Sequence, residues 1–262
     1  MILAIWGLVL KRDLLGETRE EDKFHSKEEL KKYLKSEIEK QGEKVNIWNL
    51  DVSLVEDLSD LFKGLCDNVE TLDLSGWKTS NVKNMSGMFA NCKNLESLDL
   101  SEWKTSNVKK MNQMFLNCKN LESLNLSGWD TSSVEDMNQV FAYCKNLELV
   151  DLSGWGTFDK VKNMSYMFYK CSSLESLNLS DWKVSNVEDM FSMFYGCTNL
   201  KSLDLTSFDT SKVKDMSLMF ANCENLESLD LSNWDTSNKD MIGIFDSCPA
   251  LYKVVDNQII KK

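Results

Sequence analysis

The 262-residue chain contains 42% hydrophobic and 27% charged residues, a composition typical of a folded protein that excludes a fibrous or disordered chain. Its 41 acidic and 30 basic residues give a formal net charge of −11, which repels phosphate backbones and anionic lipids, so nucleic acid is not an expected partner. The length fits one large domain or two of average size.

The first ten residues, MILAIWGLVL, are apolar and precede Lys11 and Arg12. A secretory signal peptide has positive charge before its apolar segment and a small-residue cleavage site after it, and this segment has neither. Ten residues are also too few to cross a bilayer core of about 30 Å as a helix, so no membrane insertion is expected. We predict an edge strand or cap over residues 1–10, with a truncated export signal as the alternative.

A helix is predicted over residues 26–41. Ser26 and Glu29 form a capping box, and Gly42 follows as a stop signal. The helix is expected to cover the open end of the body that follows. Its apolar stripe consists of Leu30, Leu34 and Ile38.

The rest of the chain repeats one pattern, because its eight cysteines are spaced by 26, 26, 26, 27, 26, 26 and 25 residues. Such a period predicts a solenoid. Each unit contains L-x-x-L-x-L, as in Leu95, Leu98 and Leu100, which is the strand signature of a leucine-rich repeat. Strands of successive units are expected to pair in parallel, about 4.8 Å apart. The cysteines are Cys66, Cys92, Cys118, Cys144, Cys171, Cys197, Cys223 and Cys248.

Each unit continues from the strand to an aromatic corner, such as Trp103, and then to a second apolar pattern. At 100° per residue this second pattern falls within an arc of about 120°, which predicts a short amphipathic helix. The predicted fold is therefore α/β: a leucine-rich repeat solenoid with parallel strands on the concave face and short helices on the convex face. In one unit the pattern is formed by Val108, Met111, Met114, Phe115 and Cys118.

Two units are irregular. The fourth has one extra residue between Trp155 and Val161, and the seventh lacks the residue that matches Val108. Both changes fall at the corner, where a loop absorbs them without shifting a strand. The predicted organisation is an N-terminal segment with its capping helix (1–44), a degenerate first repeat (45–68), seven leucine-rich repeats (69–250), and a C-terminal partial strand with a tail (251–262).

The repeated segment MFANCKNLESLDLS resembles the signature of BspA-like leucine-rich repeat proteins. The segment WDTSSVEDM is similar to the 25 to 26 residue repeat subclass found in bacterial surface proteins. The resemblance extends over roughly residues 45 to 255. It implies a repeat protein without enzymatic activity that lies on the cell surface or is secreted, and that binds host, neighbouring or matrix proteins.

The cysteines are expected to be free and buried. Packed helices lie about 8 to 10 Å apart, whereas the Cα atoms of a disulfide lie within about 7 Å of each other. The chain has no C-x-x-C motif and a single histidine, His25, so neither a zinc site nor a histidine-dependent nucleophile is predicted. No catalytic residue, metal or cofactor is therefore predicted, and unpaired thiols are also compatible with a cytoplasmic protein.

Two surfaces are candidates for binding. A row of carboxylates and amides on the concave face is interpreted as a solvated hydrogen-bonding row or, alternatively, as a partner groove, and aromatic side chains on the convex side are interpreted as packing between helices or as an interface. Acids and aromatics on opposite faces count against a carbohydrate-binding module. The concave row is Asp73, Asp99, Asn125, Asp151, Asn178, Asp204 and Asp230; the convex aromatic patch is Tyr143, Tyr166, Tyr169, Phe191 and Tyr195.

The sequence thus predicts a non-enzymatic scaffold that binds another protein. A bacterial surface protein of host-interaction or adhesion type is favoured, and an intracellular scaffold or inhibitor is the alternative. Self-association through the convex aromatic patch is a further hypothesis.

Overall fold

The computed structural model describes residues 23–251 and 253–255. The expectation for residues 1–10 therefore lies outside the described residues. The elements in chain order are α1 (Lys27–Gln41), β1 (Lys44–Asn46), β2 (Thr71–Asp73), β3 (Ser97–Asp99), β4 (Ser123–Asn125), β5 (Leu149–Asp151), β6 (Ser176–Leu177), β7 (Ser202–Leu203), β8 (Ser228–Asp230) and β9 (Lys253–Val255).

Parallel pairing joins the strands in chain order. Strands β1 to β5 form one sheet and β6 to β9 form a second. Leucines of successive units lie directly opposite one another, as Leu98 and Leu124 do. Each unit therefore stacks on the previous one, and the predicted parallel leucine-rich repeat solenoid is confirmed. We call the outward side of the strands, which was predicted to be concave, the strand face.

Two columns of stacked rings run through the core, and nearly all of their members are within a few per cent of complete burial. Large flat rings fill a thin repeat body well because each one buries a large apolar area. The tryptophan column, with centroids 6.0–6.4 Å apart, is Trp77, Trp103, Trp129, Trp155, Trp182, Phe208 and Trp234. The phenylalanine column, with centroids 5.1–5.7 Å apart, is Phe62, Phe89, Phe115, Phe141, Phe168, Phe194, Phe220 and Phe245.

The prediction of short helices on the convex face is wrong. In the described residues, the segments opposite the strands are turns, and we call this side the turn face. Gln113 and Asn117 both have a φ of 62°, in the left-handed region, which ends any right-handed helix within four residues. The backbone N–H of Phe115 donates to the carbonyl of Val140 in the next unit at 2.9 Å. Bonds between units therefore replace the bonds within a helix.

This geometry also changes the argument about the cysteines. Backbones joined by hydrogen bonds lie closer together than packed helices do, so the predicted distance of 8 to 10 Å is wrong as a reason against disulfides. The seven cysteines from Cys66 to Cys223 are nevertheless free and buried, and Cys248 is half-exposed. Five of the thiols, those of Cys118, Cys144, Cys171, Cys197 and Cys223, each donate at 3.1 Å to a phenylalanine carbonyl of the preceding unit.

Helix α1 covers the degenerate first repeat, which contains β1. It begins after Ser26, whose hydroxyl accepts from the backbone N–H of Glu29 at 3.2 Å, and it ends at Gly42, whose N–H donates to Ile38. The ammonium of Lys27 ties the helix to this unit by pairing with Asp57 at 3.3 Å. The predicted capping helix and its buried leucine–isoleucine stripe are thus confirmed.

Replacement of the N-cap residue tests how much the capped helix contributes to the stability of the protein. We expect Ser26→Ala to lower the free energy of unfolding by about 1 kcal/mol, because the N–H of Glu29 loses its acceptor. Ser26→Thr keeps the acceptor and is the matched control. Urea denaturation followed by circular dichroism measures both, and equal stability of the two variants would contradict the assigned role.

Candidate functional site

Five aromatic side chains on the turn face form one contiguous cluster, which we call the aromatic cluster. Tyr169 is its centre, with ring centroids 5.1 Å from Tyr143, 5.4 Å from Tyr166 and 4.9 Å from Tyr195. Tyr166 in turn contacts Phe191 at 5.1 Å. All five are half-buried, so each ring keeps a face or an edge in solvent. The structure therefore brings together every residue of the aromatic patch predicted from the sequence.

The cluster exists because three successive units carry aromatic residues at positions that are mostly non-aromatic elsewhere. In the other regular units the position of Tyr143 holds asparagine, lysine, glycine or serine, and that of Tyr169 holds alanine in three units. The position of Phe191 holds serine or asparagine in most units. The equivalent residues in order are Asn91, Asn117, Lys170, Gly196, Asn222 and Ser247 for Tyr143; Ala90, Leu116, Ala142, Tyr195, Ala221 and Asp246 for Tyr169; and Ser86, Asn112, Asn138, Ser165, Ser217 and Ile242 for Phe191.

Two cluster residues occupy left-handed backbone positions. Tyr143 has a φ of 64° and Tyr166 a φ of 58°, whereas the matching position of Tyr166 in the first of the seven repeats is Gly87. A bulky L-residue in this region costs of order 1–2 kcal/mol, and asparagine or glycine tolerates it better. The same backbone conformation recurs at these positions in other units, where it is occupied by residues such as Gln113, Lys170 and Leu218. The left-handed turn is therefore part of the repeat, and what is particular to Tyr143 and Tyr166 is the aromatic side chain.

The cluster presents hydroxyl groups and one cation. The ammonium of Lys170 lies 5.4 Å from the ring centroid of Tyr169 and 5.8 Å from that of Tyr143. Burial raises the pKa of Tyr169 to about 12 and also raises that of Tyr166. Both phenols therefore stay protonated at neutral pH. The surface can bury apolar area and make hydrogen bonds at its edges, the combination found in protein interfaces.

The predicted row of carboxylates and amides lies along the strand face and is mostly exposed. Each member accepts, through its side-chain oxygen, the backbone N–H of the residue two positions later, at 2.9–3.2 Å. These bonds close the turn after each strand, as aspartate and asparagine commonly do. Hydrogen bonds with the side chain and then with the backbone N–H of Ser153 lower the pKa of Asp151, and those of Thr206 lower the pKa of Asp204. The row therefore has a local structural role, and its role in binding remains a prediction.

A cavity of about 850 Å³ lies over the strand face of β1 to β5. Its lining includes Asp73, Asp99 and Asp151, together with serines such as Ser97 and Ser123. Acidic groups at the strand spacing favour cationic over anionic ligands. Among the described residues, no group of histidine, cysteine, aspartate or glutamate converges as a metal site.

One exposed residue on the strand face was missed by the sequence interpretation. Leu149 is 70% exposed, and the matching position in each neighbouring unit holds serine. The signal was present in the sequence, because ELVD stands where the other units have ETLD, ESLD, ESLN or KSLD. Leu149 is one of many leucines in the chain, and the sequence alone does not show that its side chain points into solvent.

The sequence matches a family described as "Mycoplasma protein of unknown function, DUF285" over residues 30–155, 91–200 and 144–258. These overlapping matches include most of the chain. The protein belongs to the DUF285 family. No curated protein is similar enough to this DUF285 chain to be counted as a relative.

Solved structures similar to the DUF285 chain are leucine-rich repeat proteins at low identity. A T. pallidum leucine-rich repeat protein is 20% identical over 60% of this chain and 72% of its own, with a TM-score of 0.33. One from Bacteroides ovatus is 21% identical over 78% of this chain, with a TM-score of 0.39, and a TLR13–ssRNA13 complex is 19% identical over 76%, with a TM-score of 0.38. The chain spans only 54% and 26% of the last two.

No helix in residues 23–251 or 253–255 has the length and apolar character needed to cross a bilayer.

Proposed function

We propose that this DUF285 protein is a non-enzymatic scaffold that binds another protein through the aromatic cluster. The observation that carries the proposal is that five half-buried aromatic side chains from three successive units contact one another in one surface group centred on Tyr169. The other regular units carry no aromatic residue at the positions of Tyr143 and Tyr166. A partner that buries the rings gives a reason for the tyrosines.

The finer form of the proposal is a bacterial surface protein of host-interaction or adhesion type, supported by the BspA-like motifs. An intracellular scaffold or inhibitor is the alternative, and it shares the same binding surface. A second copy of the chain is another candidate occupant of the aromatic cluster. The two kinds of occupant are separated by measuring the mass of the purified protein in solution.

The test replaces cluster residues by those that other units carry at the same positions. We expect Tyr143→Asn, Tyr166→Gln and Tyr169→Ala together to weaken partner binding at least roughly tenfold, because central aromatic anchors dominate interface energies. The free energy of unfolding should change by only about 1 kcal/mol, since relief of backbone strain offsets the lost ring contacts. Urea denaturation checks the second expectation.

Binding is measured in two ways. Light scattering over a range of concentrations reports self-association, and capture from lysates of the native cells and of a host cell line, followed by titration of the purified candidate, reports another partner. Ile242→Ser is the matched control, because Ile242 is 74% exposed and lies outside the cluster. Retention of full affinity by the triple variant, or equal loss in the control, would contradict the proposal.

A further inference from the structure

The strand face is interrupted between β5 and β6. The pairing that joins every other neighbouring strand is missing there, so the described strands form two sheets. Backbone bonds between the two units resume on either side: the N–H of Ser173 donates to Lys145 and the N–H of Lys183 donates to Gly156, both at 3.0 Å. The interruption is therefore a bounded cleft, and the units remain joined around it. We call it the strand-break cleft.

The cause of the break is the additional residue of the fourth unit. Thr157 forms a bridge with Lys183, the residue that directly follows Trp182. Thr157 therefore occupies the position directly after the tryptophan, and Gly156 is the additional residue. The insertion lies just after β5, and it shifts the corner relative to the strand.

Buried polar atoms around the break lack partners. The indole N–H groups of Trp77, Trp103, Trp129 and Trp234 each donate to a carbonyl of the preceding unit, at 2.8–3.4 Å. Those of Trp155 and Trp182, each only 1% exposed, have no hydrogen-bond partner, and neither has the hydroxyl of Thr131. Buried donors without an acceptor are rare in native proteins, and each one calls for an explanation.

The strand-break cleft has a volume of about 470 Å³. Val150 and Asp151 line one side, Asn178 and Asp181 line the other, and both unpaired tryptophans contribute to it. Insertion of an additional strand would separate the neighbouring units by about 10 Å, twice the strand spacing. The rings of Trp155 and Trp182 remain 6.2 Å apart, the same spacing as elsewhere in the tryptophan column, so the units have not separated and no strand fits between them.

The rim of the cleft is apolar at one point and acidic around it. Leu149 borders the cleft and is 70% exposed, whereas the equivalent residues Ser123 and Ser176 in the adjacent units are polar. The carboxylates of Asp151 and Asp181 are exposed beside it. A single apolar contact with carboxylates around it complements a ligand that is apolar at one point and cationic on either side.

We propose that the strand-break cleft binds an extended segment of a partner protein, which places one apolar side chain against Leu149 and flanking lysines or arginines beside the carboxylates. The buried indole N–H groups of Trp155 and Trp182 lie beneath this surface and show where the break interrupts the regular bonds between units. The cleft lies on the strand face, whereas the aromatic cluster lies on the turn face. Variants of one surface therefore leave the other unchanged, and the two proposals can fail separately.

The test uses three fluorescent seven-residue peptides and the full chain. One peptide has a central leucine flanked by lysines, the second replaces this leucine by serine, and the third replaces the lysines by glutamates. Fluorescence anisotropy should show the first peptide binding at least roughly tenfold more tightly than either of the others. Weak or equal binding of all three peptides would overturn the proposal.

Two variants then locate the site. Leu149→Ser restores the residue of the adjacent units, and deletion of Gly156 restores the regular spacing and closes the cleft. Each should weaken binding of the lysine-flanked peptide at least roughly tenfold, while Ile242→Ser should leave it unchanged. Undiminished binding by Leu149→Ser would overturn the proposal even if the deletion variant does not fold. A Leu149-dependent dimer in light scattering would assign the cleft to a second copy and overturn the choice of partner.

Discussion

Trp129→Ala is expected to lower the free energy of unfolding by about 3–5 kcal/mol, the usual cost of removing a large buried aromatic side chain. Trp129 is 1% exposed and stacks on Trp103 and Trp155 at 6.3 and 6.2 Å. Its loss leaves a cavity in the middle of the tryptophan column and removes the contact that joins the third unit to both neighbours. Urea denaturation followed by tryptophan fluorescence and circular dichroism measures the effect.

The column itself supplies the control. Phe208 occupies the same position in the sixth unit, stacked between Trp182 and Trp234 at 6.4 Å on each side. Trp129→Phe should therefore cost only about 1–2 kcal/mol, mainly for the hydrogen bond from the indole N–H to Leu100. Equal costs for the alanine and phenylalanine variants would show that ring stacking does not stabilise the column.

The second large effect, a fall in the free energy of unfolding, is expected at alkaline pH. Burial raises the pKa of the thiols of Cys118, Cys171, Cys197 and Cys223, to about 12 for Cys197. A hydrogen bond with Cys66, and then burial, raise the pKa of Cys92. These five thiols keep their protons in the folded chain and lose them in the unfolded chain above about pH 8.5.

The sign of the effect follows from proton binding. Above pH 8.5 the folded state binds more protons than the unfolded state, so the free energy of unfolding falls as the pH rises. Five thiols together lower it by roughly 7 kcal/mol per pH unit, which matches the whole stability of a typical domain. Below pH 8.5 the thiols are neutral in both states, and their contribution does not depend on pH. We expect cooperative unfolding between about pH 9 and 10.5.

Cys118→Ala separates the thiols from other groups that titrate at high pH. The variant is less stable at every pH because its methyl group leaves space, but its stability should fall with about four fifths of the original slope. Urea denaturation at pH 8, 8.5, 9 and 9.5 gives both slopes. An unchanged slope in the variant, or a wild-type stability that is constant from pH 8 to pH 9.5, would contradict the assignment.

The strands, the aromatic corner and the capping helix could be predicted from the sequence because local signals determine them. Leu98 and Leu100 alternate inward, and Ser26 with Glu29 marks a helix start. The turn face could not be predicted in the same way. The apolar spacing from Val108 to Cys118 fits a helix, but the N–H of Phe115 donates to a carbonyl of the next unit. Whether a backbone N–H bonds within its own segment or to the next unit depends on the neighbouring unit, which the sequence of one segment does not show.

The aromatic cluster was predicted with the correct members from an incorrect geometry. A helical wheel places Tyr166 and Tyr195 away from the core, and the turns also place them outward. The strand-break cleft was not predicted. The insertion near Trp155 was visible, but it was expected to be absorbed in a loop, whereas Gly156 in fact interrupts the strand pairing.

Backbone hydrogen bonds between units on the turn face have a consequence for the curvature of the protein. In a repeat protein with helices behind its strands, the helices lie about 8–10 Å apart, which bends the body into a horseshoe. Here the phenylalanine column advances by 5.1–5.7 Å per unit, close to the strand spacing of about 4.8 Å. The strand face and the turn face therefore advance by nearly the same distance per unit, and the body curves little. A long partner meets a nearly straight edge whose chemical groups recur about every 5 Å.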